Sequence, residues 1–250
     1  MMLAVAVLLS LGTTTAAAAT PGPTPEQLPA PRPIVWLAPI VAPVPSPAPF
    51  VPPPWTGSYN VYRVGSFATQ KTDYWCVGAS IQMMLNIVRK TSDTSYATQA
   101  ADLAYARAHE VEPASRPGSD PRGWANALTH FGAGVYRDSS FSSMNAALAF
   151  VAKRIRLTGK PVGLTVGFGS HAWVMTGFVA NRDPATTNNF SVSAVFVSGP
   201  LYPHQVAKLG YFDLKPDTRL SRDQLAQVFT PYREPQGWSG WTGKWVVVAP

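Results

Sequence analysis

The chain has 250 residues, of which 46% are hydrophobic, so it can bury one sizeable core without a second large domain. Its 20 Lys and Arg residues exceed its 13 Asp and Glu residues by seven, which gives a net charge of +7. This charge favours anionic surroundings such as cell-wall polymers, or it serves solubility alone. The basic residues are scattered rather than clustered with aromatic ones, so we expect no nucleic-acid partner.

The N-terminal residues are typical of a secretory signal peptide. An apolar stretch at residues 3–11 is shorter than the roughly 20 residues that span a bilayer, and small residues at 16–19 offer a cleavage site. No Lys or Arg precedes the apolar stretch, which leaves an uncleaved anchor or a wrongly assigned start as alternatives. We predict a signal peptide over residues 1–19, no stable membrane span and a secreted, extracellular or wall-associated protein.

A proline-rich segment follows the predicted cleavage site. Residues 21–54 contain fourteen prolines in thirty-four positions and hardly any charge. Such a composition favours extended polyproline geometry and predicts a semi-rigid linker over residues 20–54. The folded domain is then expected over residues 55–250.

Helical patterns dominate the first part of this domain. Apolar spacing predicts helices over residues 76–90, 96–109 and 143–157. Asp120 followed by Pro121 is typical of a helix start, and Gly132 and Gly159 are typical helix stops. Ser221 with Gln224 three residues later predicts a capping box at the start of a late helix.

Strand patterns dominate the second part. Segments rich in Val, Phe and Thr predict strands over residues 162–168, 171–179, 190–198 and 245–248, with a short strand over 59–64. Helices followed by strands favour an α+β fold over a doubly wound parallel sheet.

Cys76 is the only cysteine, so the chain forms no internal disulfide. It stands where an irregular segment turns into the first predicted helix. Free backbone N–H groups and the helix dipole at that point favour the thiolate, the reactive form of the side chain. Gln70, six residues upstream, can supply a side-chain N–H beside the backbone N–H of Cys76, as an oxyanion hole requires.

A thiol nucleophile needs a base that titrates near neutrality, and histidine is the usual one. The chain has four. His109 and His130 stand near helix ends and His204 in a loop, which makes them weaker candidates. His171 opens a buried strand directly after Gly169 and Ser170, a position that fixes the backbone and exposes the first side chain. His171 is therefore the predicted base.

These two motifs resemble those of the bacteriocin-processing, or double-glycine-leader, peptidase-like group of papain-like cysteine peptidases. The similarity is carried by Gln-x5-Cys-x-Gly-Ala-Ser around Cys76 and by Gly-x-His-Ala-x-x-x-Thr-Gly around His171. It implies a papain-like fold in which a nucleophile at a helix N-terminus packs on an antiparallel sheet. It also implies peptide or amide hydrolysis with Cys76 as nucleophile, His171 as base and acid, and Gln70 at the oxyanion.

One element of the family pattern is missing. The family places an Asp, often followed by Pro, at the end of the strand after the histidine strand, and that residue orients the imidazole. The corresponding stretch here is Val195 to Pro200, which contains Ser198 and no Asp. Asp183 is too distant: it stands about twelve residues from His171, beyond the end of the strand, and would lie about 25 Å or more away at roughly 3.3 Å per strand residue. We therefore predict that Ser198, a backbone carbonyl or a water orients the ring, or that the site is a dyad.

Three hypotheses remain at this point. The first is a secreted, monomeric cysteine peptidase or amidase that acts on peptides or proteins without a cofactor or metal. The second is a catalytically impaired peptide- or wall-binding module on the same fold. The third is an unrelated globular protein in which Cys76 is buried and His171 lies elsewhere.

Overall fold

The computed structural model describes residues 49–111, 117–204, 213–233 and 240–250. The predicted signal peptide and most of the predicted linker lie outside these residues. The structure places Phe50 against Gly159, and Pro53 accepts a hydrogen bond from Arg156 through its carbonyl oxygen. The last residues of the proline-rich segment therefore pack on the folded domain.

The helices follow the sequence patterns closely. They are α1 (Cys76–Arg89), α2 (Tyr96–Ala108), α3 (Pro121–His130), α4 (Met144–Thr158) and α5 (Arg222–Ala226). Asp120 caps α3 by accepting from the N–H of Gly123 at 2.6 Å, and Gly159 ends α4 in the left-handed conformation. Ser221 and Gln224 form the predicted capping box.

The strands form one antiparallel sheet. They are β1 (Ser58–Asn60), β2 (Arg137–Phe141), β3 (Val162–Val166), β4 (His171–Ala180), β5 (Val192–Ser198), β6 (Thr218–Ser221) and β7 (Trp245–Ala249). Their order is β2-β7-β3-β4-β5-β6, and β1 pairs with the later part of β4. His171 at the start of β4 pairs with Val166 at the end of β3.

The sheet separates two hydrophobic cores. Along β4, Trp173 and Met175 face the core formed with α4 and α5, whereas Ala172 and Val174 face the core formed with α1, α2 and α3. This alternation is the period of a strand that is buried on both faces. The predicted α+β class, with the Cys76 helix packed on an antiparallel sheet, is confirmed.

Close packing holds α1 in place. An added Cβ at Gly78 would lie 2.8 Å from the carbonyl oxygen of Gln99 on α2, so α1 and α2 approach each other only because this position is glycine. The small residues after Cys76 thus bring the start of α1 close to its neighbours.

One strand prediction needs correction, and two further strands were not predicted. The strand predicted over residues 59–64 ends at Asn60, because the Asn60 side chain accepts from the N–H of Tyr62 and turns the chain. The strands β2 and β6 have no counterpart in the sequence prediction. Both are polar strands, and each pairs with a single neighbour in the sheet, so hydrophobic alternation does not reveal them.

No helix in the described part of the chain is both long and apolar enough to cross a membrane.

Candidate active site

Cys76 is the first residue of α1. The residue before it, Trp75, provides no side-chain hydrogen bond to the helix, and the first turn carries no acidic side chain. The N-terminal N–H groups of α1 are therefore available to a negative charge at this end of the helix. Cys76 is partly exposed, so a substrate can reach its sulfur.

His171 is held by a tight turn between β3 and β4. Residues Gly167–Gly169 form one turn of 3-10 helix, in which Gly169 has a φ of +90° and lies against the ring of Tyr232. The Arg233 N–H donates to the carbonyl of Phe168 at 2.9 Å. Contacts with Tyr232 and Arg233 thus hold the backbone of the turn that precedes His171.

The structure brings Cys76 and His171 together. Both residues line a cavity of about 360 Å³, and a side-chain hydrogen bond joins them. The His171 side chain is 3% exposed. Because Nε2 faces a carboxylate on the other side, Nδ1 is the nitrogen available to the sulfur.

That carboxylate is Asp213. The His171 Nε2–H donates to Oδ2 of Asp213 at 3.0 Å and lies 3.2 Å from Oδ1. Burial alone would lower the pKa of His171, but the hydrogen bonds with Asp213 and Cys76 outweigh burial and raise this pKa to about 10. The ring therefore stays protonated at neutral pH. A protonated imidazole beside the sulfur can donate its proton to a leaving group.

Asp213 is itself held by several groups. The indole N–H of Trp173 donates to its Oδ1 at 2.6 Å, and the backbone N–H of Leu201 donates to its Oδ2 at 2.6 Å. Its side chain is fully buried. An added Cβ at Gly199 would overlap its carboxyl group, so the carboxylate can lie there only because this position is glycine.

The expectation for Ser198 is corrected by these contacts. Ser198 ends β5, and its hydroxyl accepts from the N–H of Asp217 at 3.0 Å. In the structure Asp213, not Ser198, accepts from the imidazole, so Cys76, His171 and Asp213 form one hydrogen-bonded series. Ser198 instead forms a hydrogen bond with the backbone of Asp217, directly before β6.

Gln70 lies on the buried loop that leads to α1. Its backbone N–H donates to the carbonyl of Pro200, and its Nε2 donates to the carbonyl of Thr72, both at 2.8 Å. The residues that line the cavity include Cys76 and His171 but not Gln70. A carboxamide nitrogen carries two hydrogens, so one N–H of Gln70 is not used by Thr72.

The other candidates lie elsewhere. Asp183 accepts from Arg156 through both carboxylate oxygens at 2.8 Å, so it belongs to a different ion pair, as the sequence argument required. His109 and His130 stack on opposite sides of Tyr105 at 3.9 Å between ring centroids. Among the described residues, no group of three or more His, Cys, Asp or Glu is arranged to hold a metal ion.

Asp213 was missed because no local pattern marks it. It follows β5 by fifteen residues, beyond the turn that contains Gly199 and Leu201. Two signals were available in the sequence: Gly199 directly after the strand, and Trp173 two residues after His171 on the same face of β4. Neither identifies a carboxylate without the fold.

No family model matches the chain. No curated protein matches it either. Among solved structures, UfSP from C. elegans is similar at a TM-score of 0.38 and 14% identity, over 73% of this chain. The chain spans only 31% of that protein's chain.

Proposed function

We propose that the protein is a papain-like cysteine hydrolase that cleaves peptide or amide bonds. One observation carries the proposal: the imidazole of His171 is hydrogen-bonded to Cys76 on one side and to the buried carboxylate of Asp213 on the other. Two further N–H groups, from Trp173 and Leu201, hold that carboxylate. A nucleophile, a base and a group that orients the base are the parts that nucleophilic catalysis by a thiol requires.

The proposed reaction proceeds in two stages. The Cys76 thiolate attacks the carbonyl carbon of the substrate and forms a C–S bond. The charge on the carbonyl oxygen is stabilised by N–H groups at the start of α1 and by the unused N–H of Gln70. The imidazolium of His171 then protonates the leaving amine as the C–N bond breaks, and a thioester remains.

The second stage releases the acid. The neutral imidazole takes a proton from water, the resulting hydroxide adds to the thioester carbon, and the C–S bond breaks. Cys76 leaves as thiolate and His171 is again protonated. Asp213 holds the ring in one orientation throughout and stabilises its charge.

Asp213 also bears on the competing hypothesis of a catalytically impaired binding module. That hypothesis depended on the absence of a third group beside His171. With Asp213 present, the reason for preferring a module disappears.

The proposal also includes the peptidase group to which the protein belongs and its secretion from the cell. The motifs around Cys76 and His171 support the bacteriocin-processing peptidase-like group, and the N-terminal pattern supports secretion. The charge of +7 supports contact with anionic wall material, and the cleft supports a peptide or protein substrate. Mass spectrometry of a culture medium tests secretion, and cleavage after residue 19 is the expected result.

The test of the activity is alkylation of Cys76 across pH, together with hydrolysis of a quenched fluorescent peptide library. We expect iodoacetamide to modify folded protein at pH 6, where an ordinary thiol reacts slowly, because His171 stabilises the thiolate. We expect Cys76→Ser and His171→Gln to abolish hydrolysis. The proposal would be refuted if the alkylation rate of Cys76 had the pH dependence of an ordinary thiol and the wild type cleaved no peptide.

A further inference from the structure

Arg233 brings a positive charge into the cavity that contains Cys76 and His171. Its side chain is exposed and lines this cavity, so a substrate can reach it. Among the described residues it belongs to no ion pair, and no oxygen accepts a hydrogen bond from its guanidinium. The donors of this group are therefore not used by the fold.

The guanidinium of Arg233 is nevertheless held in position. Its central carbon lies 3.7 Å from the centroid of the Phe168 ring, and the Arg233 backbone N–H donates to the Phe168 carbonyl at 2.9 Å. Stacking of this kind uses the flat face of the guanidinium, whereas its N–H groups point outward in the plane. The contact with Phe168 thus orients the group and leaves its donors available.

Phe168 has an unusual backbone for a residue with a side chain. Its φ of +60° and ψ of +26° lie in the left-handed region, which is costly for residues other than glycine. The side chain is 40% exposed, so it is not a core residue that would compensate this cost by full burial. Its N–H donates to Oγ1 of Thr230 at 2.8 Å, which holds the strained turn. Strain of this kind is concentrated at functional positions, and here it places a ring under the guanidinium.

The cavity also contains a negative charge, but that charge is less well held. Asp73 lines the cavity three residues before Cys76 and is exposed. No ion pair joins it to Arg233, so the two charges do not neutralise each other within the site. No described residue donates a hydrogen bond to the Asp73 carboxylate. A side chain that is already oriented loses less conformational entropy on binding, so Arg233 should determine the preference for charge.

We propose that Arg233, stacked on Phe168, is a specificity residue that binds a carboxylate of the substrate close to the bond that is cleaved. Two in-plane N–H groups of a guanidinium match the two oxygens of a carboxylate. The carboxylate belongs either to an Asp or Glu side chain or to the C-terminus of the substrate. This inference rests on the proposed cysteine hydrolase activity and adds the chemical group that the cleft selects.

The experiment uses the full chain and two sets of internally quenched peptides. In the first set, Glu, Gln or Lys is placed in turn at each of the three positions on either side of the cleaved bond. In the second set, the peptide ends one, two or three residues after that bond, as the free acid or as the amide. We expect kcat/KM to be about tenfold higher for Glu than for Gln at one position, or for the acid than for the amide. The set that shows the preference identifies the source of the carboxylate.

Variants of the stacked pair assign the preference. Arg233→Gln should reduce the ratio of carboxylate to amide rates to about one, and Arg233→Glu should make the Lys peptide the better substrate at that position. Phe168→Asn removes the ring but keeps a residue type that tolerates the left-handed backbone, so it should lower the ratio by about two- to fivefold. Arg182→Gln is the matched control: this exposed arginine is not part of the cavity lining, and the net charge changes equally. It should leave the ratio unchanged.

The possible outcomes separate the two proposals. If the wild type hydrolyses no peptide, the hydrolase activity is contradicted, and the carboxylate preference with it. If peptides are hydrolysed without a preference for a carboxylate, or with a preference for Lys, the role of Arg233 is contradicted while the activity stands. A carboxylate preference that persists in Arg233→Gln has the same meaning. Circular dichroism checks folding, and should Arg233→Glu not fold, the Arg233→Gln rates decide.

Discussion

At the scale of single residues, the pair of His171 and Asp213 decides what the site can do. A protonated imidazole is needed twice, to stabilise the thiolate and to protonate the leaving amine. Because the pKa of His171 is raised to about 10, the ring keeps this proton over the whole physiological range. On the alkaline side, the activity should therefore decline only in strongly alkaline solution, as His171 loses its proton.

Replacing the carboxylate tests this account. We expect Asp213→Asn to lower kcat/KM by roughly 100-fold, the size of a typical acid–base contribution. It should also move the alkaline limb of the pH profile to lower pH, because an amide stabilises the imidazolium less than a carboxylate does. In the wild type, the His171–Asp213 pair also contributes to the free energy of unfolding. This contribution is complete below pH 6.5 and is lost as the pH rises toward about 10, where folded His171 loses its proton.

A purely structural role for Asp213 would give another result. The variant would then lose melting temperature, while its remaining activity kept the alkaline limb of the wild type. Measuring kcat/KM and thermal unfolding at several pH values between 6 and 10 distinguishes the two.

The charge of Asp102 on α2 affects the stability of the fold. It is 2% exposed, and its Oδ2 has no partner among the described residues. Burial raises its pKa to about 7, and Arg89 offsets only part of this effect. Because the folded state binds its proton more tightly than the unfolded state, stability falls as pH rises from about 4 to about 7.

We expect Asp102→Asn to stabilise the protein by about 1–3 kcal/mol above pH 7 and to have little effect near pH 4, since the amide avoids a buried charge. Urea unfolding at both pH values measures the difference. The exposed Asp223→Asn is the control and should show no such pH dependence. Equal free energies of unfolding for Asp102→Asn and wild type at pH 8 would contradict this prediction.

At the scale of elements, local signals in the sequence determined the helices and the buried strands. Asp120, Ser143, Gly159 and Ser221 mark helix ends by capping chemistry that acts within a few residues, so these ends could be predicted. The positions of Cys76 and His171 at the starts of α1 and β4 followed from the apolar spacing of the helix and from the Val-rich strand after Gly169. The strand β2 could not be predicted, because its residues are polar and only pairing with β7 makes them a strand.

The third member of the site depends on contacts between distant elements. The turn after β5 supplies the Leu201 N–H to Asp213, and the carbonyl of Pro200 accepts from the Gln70 N–H. Thr69 donates to the carbonyl of Tyr202 at 2.9 Å. One turn therefore positions both the acid beside His171 and the loop that carries the proposed oxyanion donor. No spacing rule along the chain reveals such a link.

Gly199 is the residue of this turn that can be tested most directly. We expect Gly199→Ala to displace the Asp213 carboxylate, because the added methyl overlaps it, and so to lower kcat/KM by roughly 10- to 100-fold. The alkaline limb should move as it does for Asp213→Asn. The control is Ser193→Ala on the exposed face of β5. Unchanged kcat/KM in Gly199→Ala would show that the carboxylate tolerates movement.

At the scale of the whole molecule, the two faces of the sheet carry different hydrophobic cores. The core with α4 lies on one face, and the core with α1, which includes the partly buried Cys76, lies on the other. Trp55 joins the first core: it stacks on Phe178 at 5.8 Å between ring centroids, and the guanidinium of Arg156 lies 5.4 Å from its ring. The residues just before β1 therefore support the face of the sheet opposite to α1.

We expect Trp55→Ala to lower the free energy of unfolding by about 2–4 kcal/mol, through the loss of a large aromatic contact and of the cation–π interaction. Below the melting temperature, kcat/KM should remain within about twofold of the wild type, since no group of the site is touched. Val51→Ala, which alters a side chain that is 80% exposed, is the control for both measurements. A large fall in kcat/KM at full folding would show that the two faces of the sheet are coupled.

The position of Asp213 has a consequence for finding proteins of this kind. Forty-two residues separate the acid from the histidine, and a complete strand and a turn lie between them. A search pattern that places the acid at the end of the next strand would classify such chains as inactive. A pattern that instead requires glycine directly after that strand, tryptophan two residues beyond the histidine, and any Asp within the following loop would retain them.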